Sequence, residues 1–250
     1  MLVGGRLDDH NTYGSITNIR ASLRWQFTDL HGVRLNFGEA FREPTIFELN
    51  DSDGLAPIEM ETTELTFSYV VPSRLVGSLV FWNNDQTGDI ISTSSGSFIN
   101  ATDVTRKRGI EWRNTWEHRK WTGYVNAAWT EDRSSEKLLN VAEYKCFTGV
   151  TWSPDRRFYA SLQGRLAWNT STRAVDASGG ESIFELDDFR EVHFHLGIRD
   201  LGIASGDLEI VLSGRNLFDR RNALPNTRST DPLQFLDERR SFYLKAFLQF

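Results

Sequence analysis

The sequence has few of the residues that disulfide-linked, helical-membrane or nucleic-acid-binding proteins require. Its single cysteine, Cys146, excludes an internal disulfide, and we expect this residue to be a small apolar side chain on a strand. Lys and Arg number 28 against 34 Asp and Glu, which gives a net charge of −6 and no basic field for nucleic acid. No run of about 18 apolar residues occurs, so the chain is not a helical membrane protein.

Alternation of apolar and polar residues is present along most of the chain, whereas helical periodicity is nearly absent. In one such run Ile19, Leu23 and Trp25 share one face, and Arg20 and Arg24 share the other. The pattern predicts about twelve antiparallel strands. They lie near residues 2–9, 16–27, 31–41, 59–71, 74–84, 104–116, 120–131, 143–152, 157–168, 187–199, 206–217 and 239–250. Most exceed the usual length of a globular strand and suit a bilayer crossing of about 10 tilted residues.

The connections between the predicted strands alternate between short and long. The short ones are residues 28–31, 72–73, 117–120, 153–156 and 201–205, and the long ones are 42–58, 85–103, 132–142, 169–186 and 218–238. Outer-membrane barrels have short periplasmic turns and long extracellular loops. The alternation therefore predicts an all-β antiparallel transmembrane barrel segment with the five long connections outside.

Tryptophans lie near both ends of the predicted strands. Trp121 and Trp129 are eight residues apart on one face, which spans about 20 Å in a tilted strand. This spacing is typical of two aromatic girdles around an apolar band. Trp25, Trp116 and Trp152 are assigned to one girdle, Trp82 and Trp168 to the other, and Trp112 to the middle of the band. We therefore expect the apolar faces to contact lipid and the polar faces to point inward.

Two motifs lie at ends of predicted strands. In "GEAFREPTIFEL", residues 38–49, Pro44 cannot donate a ladder hydrogen bond, so the strand ends there. This stretch resembles the G-x-x-F-R-x-P-T-x-x-E-L signature of TonB-dependent outer-membrane receptors, carried here by Gly38, Phe41, Arg42, Pro44, Thr45, Glu48 and Leu49. "GRNLFDRRN" resembles the element before the family's last strand, in Asn216, Leu217, Phe218 and Asp219. The C-terminal Phe250 resembles the terminal aromatic that serves outer-membrane barrels as an assembly signal.

The resemblance covers essentially all 250 residues and implies a function in transport. Receptors of this family are 22-stranded barrels around a plug domain, and they import scarce ligands with energy from the TonB system. About twelve strands correspond to the C-terminal half of such a barrel, and neither a plug domain nor a signal peptide is recognisable. We therefore expect residues 1–250 to form one partial barrel domain of a receptor in the outer membrane of a Gram-negative bacterium.

The same resemblance implies which partners the chain has. These are outer-membrane lipid and lipopolysaccharide, a siderophore-like small molecule, and the TonB system through a plug domain missing from this chain. No cofactor and no nucleic acid is expected. Basic residues near the extracellular rim are candidate contacts for an anionic ligand or for lipopolysaccharide phosphates. They are Arg106, Lys107, Arg108, Arg220, Arg221 and Arg228.

Other polar groups are interpreted as parts of the barrel wall and rim. His193 and His195 lie two apart on one strand face, a spacing that can hold a metal, but inward-facing polar residues are the preferred interpretation. The carboxylates near residues 181–188 are interpreted as solvated rim charge; they are Glu181, Glu185, Asp187 and Asp188. No nucleophile–base pair, phosphate loop or paired-cysteine metal motif occurs, so an enzyme is not expected.

Two alternatives remain open from the sequence. The first is a self-closed twelve-stranded outer-membrane pore or adhesin without a plug, in which strand 2–9 pairs with strand 239–250. The second is a soluble β-rich binding protein, in which the faces that carry Val33, Leu35 and Phe37 are buried against another sheet.

Overall fold

The computed structural model describes residues 1–11, 14–50, 52, 54–72, 74–93, 96–134, 138–175, 181–203, 206–225 and 234–249. These residues form strands and one short helix. The elements are β1 Leu2–His10, β2 Gly14–Thr28, β3 His31–Arg42, α1 Ile46–Asn50, β4 Ile58–Val71, β5 Leu75–Thr87, β6 Ile90–Ser92, β7 Phe98–Asn100, β8 Thr105–His118, β9 Trp121–Asp132, β10 Tyr144–Trp152, β11 Phe158–Trp168, β12 Thr170–Val175, β13 Glu181–Leu186, β14 Phe189–Ile203, β15 Gly206–Arg215, β16 Ala223–Pro225, β17 Gln234–Leu236 and β18 Ser241–Gln249. Among the described residues, no helix is long and apolar enough to cross a membrane.

Twelve of the strands form one sheet in the order β1-β2-β3-β4-β5-β8-β9-β10-β11-β14-β15-β18. Each of these strands corresponds to one of the twelve predicted from alternation, so the predicted all-β antiparallel fold is confirmed. The remaining strands form three two-stranded ribbons, β6-β7, β12-β13 and β16-β17, inside the predicted long connections. β1 and β18 are the end strands of the order, and each is hydrogen-bonded along one side among the described residues.

The chain divides into two compact units. Unit 1 comprises Met1–Tyr69, Leu79–Ile110 and Thr130–Lys137, and unit 2 comprises Val70–Ser78, Glu111–Trp129 and Leu138–Phe250.

In unit 1, the register of β2, β3 and β4 places apolar residues in rows across one face. Leu23 lies opposite Leu35, and Leu35 lies opposite Leu65. All three side chains are more than 40% exposed, so this face is not covered by another part of the unit. The next-but-one row towards the long connections is Glu39 opposite Glu61, where the apolar band ends.

The opposite face of the same strands carries a row of hydrogen-bonded polar side chains. Ser22 Oγ donates to Asn36 Oδ1 at 2.7 Å, and Asn36 Nδ2 donates to Glu64 Oε1 at 3.0 Å. Arg34 lies 3.7 Å from the same Glu64 oxygen, and Thr66 Oγ1 donates to it at 2.9 Å. The side-chain period of two therefore separates an apolar face from a polar face.

Unit 2 repeats this separation. One row of its apolar face passes through strands β18, β15, β14, β11, β10 and β9; its members are Leu244, Leu212, Leu196, Ala160, Trp152 and Trp121. The five large side chains of this row are each between 37% and 74% exposed. On the polar face, Tyr159 Oη donates to Glu209 Oε1 at 3.1 Å. Ser213 Oγ lies 2.9 Å from His195 Nδ1 on the same face.

Several glycines of unit 2 lie directly opposite aromatic residues on the neighbouring strand. Gly149 lies opposite Tyr124, and Gly197 lies opposite Tyr159. A Cβ atom at Gly197 would be 2.1 Å from Tyr159 Cε1, so the ring occupies the space that a side chain would need. Gly214 provides the same space to Phe194.

The apolar side chains do not form a dry core. Among the described residues, the buried apolar side chains are Leu55, Ile58, Val80, Leu138, Ala142, Val211 and Ala223. The soluble alternative required the face of Leu35 to be buried against another sheet, and that residue is 45% exposed. This interpretation is therefore wrong.

Most of the predicted girdle tryptophans lie on the apolar face, but Trp82 does not. Trp121 and Trp152 contact each other in a tilted arrangement with ring centroids 6.1 Å apart, and Trp25 is 67% exposed. Trp82 shares its strand face with Asn84, whose Nδ2 donates to Thr62 Oγ1 on the polar face. The period of two in β5 therefore excludes Trp82 from the girdle.

Candidate functional site

The first motif lies where β3 ends and α1 begins, in unit 1. Arg42, the last residue of β3, donates from Nη1 to Glu48 Oε2 and from Nη2 to Glu48 Oε1, both at 3.1 Å. Pro44, which lies between these two residues in the sequence, is buried. Its missing N–H ends the strand ladder, as predicted. The bidentate pair holds the short helix against the end of the strand.

Glu48 also caps α1. Its Oε2 accepts a hydrogen bond from the Thr45 backbone N–H at 2.6 Å, and Thr45 Oγ1 accepts one from the Glu48 N–H at 3.3 Å. This reciprocal pair is a capping box. Arg42 and the Thr45 N–H stabilise the charged carboxylate and lower the pKa of Glu48 from 4.5 to about 2.

A second set of contacts ties the segment after α1 to the β6–β7 ribbon. The Asn100 side chain accepts a hydrogen bond from the Ala56 N–H at 2.8 Å and donates to the Ala56 carbonyl at 2.9 Å. It also donates to the Gly88 carbonyl at 2.8 Å. Phe47 of α1 meets Phe98 of β7 edge to face, with ring centroids 5.5 Å apart. The residues that the structure describes in segments 43–57 and 88–100 thus form one packed surface of unit 1.

The second motif begins the connection from β15 to β18, in unit 2. Asn216 is 1% exposed and has a φ of 46°, a left-handed conformation that asparagine tolerates better than most residues. Its Nδ2 donates to the carbonyls of Arg220 at 2.8 Å and Glu238 at 3.1 Å, and its Oδ1 accepts from the Arg220 N–H at 3.0 Å. One side chain therefore joins the two ends of this connection.

Asp219 and Asn222 complete the base of the same connection. Asp219 pairs with Arg239 through two oxygens and accepts from the Arg240 N–H at 3.0 Å. These donors hold the pKa of Asp219 well below its ordinary value. Asn222, 1% exposed, accepts from the Arg190 N–H at 3.0 Å and thereby fixes the connection to β14. Leu217 donates its N–H to the Val192 carbonyl, whereas the Phe218 side chain is 74% exposed.

The predicted basic contacts are distributed over two faces. Arg106 and Arg108 share the face of β8 that carries the exposed Trp112, and Lys107 lies on the other. Arg106 Nε is 3.6 Å from Asp85, and Arg108 Nε is 2.6 Å from Glu131. Arg220 contributes its backbone to the Asn216 contacts, and Arg221 is exposed. Arg228 and Phe250 lie outside the described residues.

The histidines and carboxylates singled out from the sequence take part in local contacts. His193 Nε2 lies 3.1 Å from Glu191 Oε2, and Arg165 Nη1 lies 3.3 Å from the same oxygen. Asp188 pairs with Arg190 at 2.7 Å. Within the part of the chain that the structure describes, no group of three His, Cys, Asp or Glu is arranged to hold a metal ion.

Two residues that position these motifs, and the start of one helix, were missed from the sequence. Asn100 and Asn222 act through contacts with segments distant in the chain, which no local pattern reveals. The start of α1 was also missed, although Thr45-x-x-Glu48 has the spacing of a capping box. That spacing is the signal that would have found it.

The sequence that forms this two-faced sheet matches the sequence profile of a known family. The sequence profile described as "TonB dependent receptor-like, beta-barrel" matches residues 1–217. The chain belongs to this family. The predicted family resemblance is therefore confirmed.

Solved structures of similar fold include receptors for siderophores. The siderophore receptor PirA from Acinetobacter baumannii has a TM-score of 0.80 and 13% identity over 98% of this chain and 42% of its own. The ferripyoverdine receptor of the Pseudomonas aeruginosa outer membrane has a TM-score of 0.78 and 12% identity over 98% of this chain and 35% of its own. At these identities the likeness shows the fold alone.

One group of curated relatives matches a shorter segment. The vitamin B12 transporter BtuB of Vibrio vulnificus is 32% identical over 63 residues, which cover 25% of this chain and 10% of BtuB. The chain therefore spans about two-fifths of the length of this PirA and about one-third of the length of the ferripyoverdine receptor. The match to BtuB covers a short segment only.

Proposed function

We propose that the chain forms part of the wall of a TonB-dependent transporter in the outer membrane of a Gram-negative bacterium. The observation that carries this proposal is the separation of faces: exposed rows such as Leu23–Leu35–Leu65 on one side and the hydrogen-bonded row Ser22–Asn36–Glu64 on the other. Lipid covers the apolar face and the polar face lines the lumen, as in other barrels of this kind.

The imported ligand is proposed to be a scarce metal chelate such as an iron–siderophore. Support comes from the fold, which PirA and the ferripyoverdine receptor share. A corrinoid is the second candidate, favoured by the local match to the vitamin B12 transporter. The TonB system is proposed to act through a plug domain outside residues 1–250.

Arg106 and Arg108 are proposed to contact lipopolysaccharide phosphates. Both lie on the apolar-side face of β8, near the end where the long connections emerge. Arg220, Arg221 and Arg228 remain proposed contacts for anionic groups at the rim.

Deletion of the gene in its native host tests the transport proposal. We expect the deleted strain, grown under iron limitation, to lose uptake of one radiolabelled ferric chelate or of labelled cobalamin, and to regain it on complementation. Uptake of every chelate and of cobalamin at the parental rate would contradict transport. Heat-modifiable migration of the 250-residue chain in detergent gels separately tests the self-closed pore: a chain that migrates alike boiled and unboiled counts against it.

A further inference from the structure

Apart from the contact between Phe47 and Phe98, an exposed apolar surface on α1 and β7 has no role in the contacts described above. Ile46 is 79% exposed and Phe47 is 66% exposed, although both are large apolar residues at the start of a helix. Phe98 of β7 contacts Phe47 edge to face. We call these three residues, all in unit 1, the α1 patch. Exposed apolar groups held in a defined arrangement mark binding surfaces more often than surface positions without neighbours do.

The α1 patch is held in place by contacts on both sides. The Arg42–Glu48 pair and the Thr45 cap fix α1 to the end of β3. Asn100, two residues beyond Phe98, is fixed by its hydrogen bonds to Ala56 and Gly88. A ligand that binds here meets aromatic rings that are already ordered, so less conformational entropy is lost on binding.

The sequence that carries the α1 patch is mostly acidic. Between Arg42 and Arg106 the sequence contains ten Asp and Glu, no His, and one basic residue, Arg74. Arg74 lies in the short turn between β4 and β5, in unit 2, whereas Arg42 is already paired with Glu48. Glu43 and Asp89 lie in the two segments that form the packed surface, and Asp103 follows the second segment by three residues. A polyanion is repelled by such a surface, and a cation is attracted both by the carboxylates and by the aromatic rings.

We propose that the α1 patch docks the apolar face of a small metal chelate that is neutral or positively charged, rather than a polyanionic tris-catecholate. This inference rests on the proposed transport function and narrows its ligand class. Phe47 and Ile46 supply the apolar contact, and the carboxylates of Glu43, Asp89 and Asp103 select against negative charge.

Binding of three ferric chelates to the chain in outer-membrane vesicles tests the proposal. The probes are a cationic linear trihydroxamate, a neutral cyclic trihydroxamate and a trianionic tris-catecholate, each titrated by quenching of tryptophan fluorescence. We expect the cationic or neutral chelate to bind at least about tenfold more tightly than the trianion at 0.15 M salt. Phe47→Ala should weaken that binding about five- to tenfold. Phe235→Ala, which removes another exposed aromatic side chain in a different connection, is the matched control and should leave it unchanged.

Charge reversal provides a second variant. The double variant Glu43→Lys, Asp103→Lys should bind the cationic chelate severalfold more weakly and the trianion severalfold more tightly. Both effects should be smaller in high salt.

The outcomes separate the inference from the function on which it rests. Tight binding of the trianion alone keeps the transport function and overturns the ligand class. Binding of none of the chelates overturns the proposed docking, whereas transport is overturned only if uptake of labelled cobalamin is also unchanged in the deleted strain. If Phe47→Ala lowers the amount of folded protein without changing the affinity, the patch packs within the protein and the proposed docking is wrong.

Discussion

Glu48 shows how much of this chain's rim depends on one carboxylate. It accepts hydrogen bonds from Arg42 at the end of β3 and from the Thr45 N–H at the start of α1. The motif was recognised from its residue types alone, and the structure explains why these residue types occur at these positions. Arg42 supplies a bidentate partner, Pro44 ends the strand, and Thr45 and Glu48 cap the helix reciprocally.

The protonation of Glu48 predicts a pH-dependent loosening of α1. Because its pKa falls from 4.5 to about 2 in the folded chain, its contribution to stability is complete above about pH 4.5 and is lost as the pH falls through about 2. We expect pepsin cleavage next to Phe47 to increase over this range, relative to cleavage next to Phe235.

The variant Glu48→Gln provides the control for this experiment. In this variant the free energy needed to open α1 should be about 1–2 kcal/mol lower than in the wild type. The ratio of cleavage next to Phe47 to cleavage next to Phe235 should no longer depend on pH. If wild type and variant are protected equally at pH 4.5, the carboxylate does not hold the helix.

Gly197 predicts a packing defect that a neighbouring glycine does not share. Gly197→Ala places a Cβ atom against the Tyr159 ring, which is held by Glu209, so we expect a loss of about 1–3 kcal/mol in stability. Gly202→Ala in the same strand is the matched control, because no atom lies within 4 Å of its Cβ position. The midpoint of urea unfolding measures both. Equal midpoints would show that the ring moves aside at little cost.

At the scale of elements, the sheet was predictable and the connections were not. β3 was predicted at residues 31–41 and is observed as His31–Arg42, because from Val33 to Phe37 apolar and polar residues alternate strictly between the two faces. The ribbons β6–β7 and β12–β13 were missed. Their strands are short, and β7 is held by a contact between Asn100 and Ala56, which lie 44 residues apart.

Trp82 shows where the same reasoning failed within a strand. Its position near a strand end was correct, but its face was not, since face depends on the register of β5 rather than on the residue type. The two motif segments were recognisable from the sequence. The asparagine contacts that hold these segments were not recognisable, because no periodic pattern in the sequence marks an asparagine whose side chain is buried.

The connection between β15 and β18 is predicted to depend on Asn216. Asn216→Ala should cost about 2–4 kcal/mol, because three hydrogen bonds are lost and alanine disfavours a φ of 46°. Asn216→Gly removes the same hydrogen bonds but accepts the backbone conformation, so its cost should be smaller. Thermal unfolding of the two variants separates the contributions. A wild-type midpoint for Asn216→Ala would contradict the role of this residue.

At the scale of the whole molecule, the faces of the sheet predict where charge is tolerated. Leu35→Arg on the apolar face should cost about 2–4 kcal/mol in a bilayer and reduce assembly into outer membranes. Ser68→Arg on the polar face of β4 should assemble normally. The amount of protein extracted with the outer-membrane fraction measures both variants. Equal amounts would contradict the assignment of the apolar face to lipid.

The C-terminal residue gives a second prediction for the whole molecule. Deletion of Phe250 is expected to impair assembly into the outer membrane, because a terminal aromatic is the assembly signal of such proteins in the family that this chain resembles. Surface abundance at the wild-type level would show that this residue is dispensable.

The glycines that face aromatic rings have a consequence for how the strands find their alignment. A slip of two residues between β11 and β14 preserves the faces of both strands, so hydrophobicity alone does not penalise it. Such a slip would bring Tyr159 opposite His195 or Arg199, each of which has a side chain where Gly197 has none. A misaligned pairing of these two strands is thus penalised sterically, and each glycine opposite an aromatic ring favours the native register over one that hydrophobicity would accept equally well.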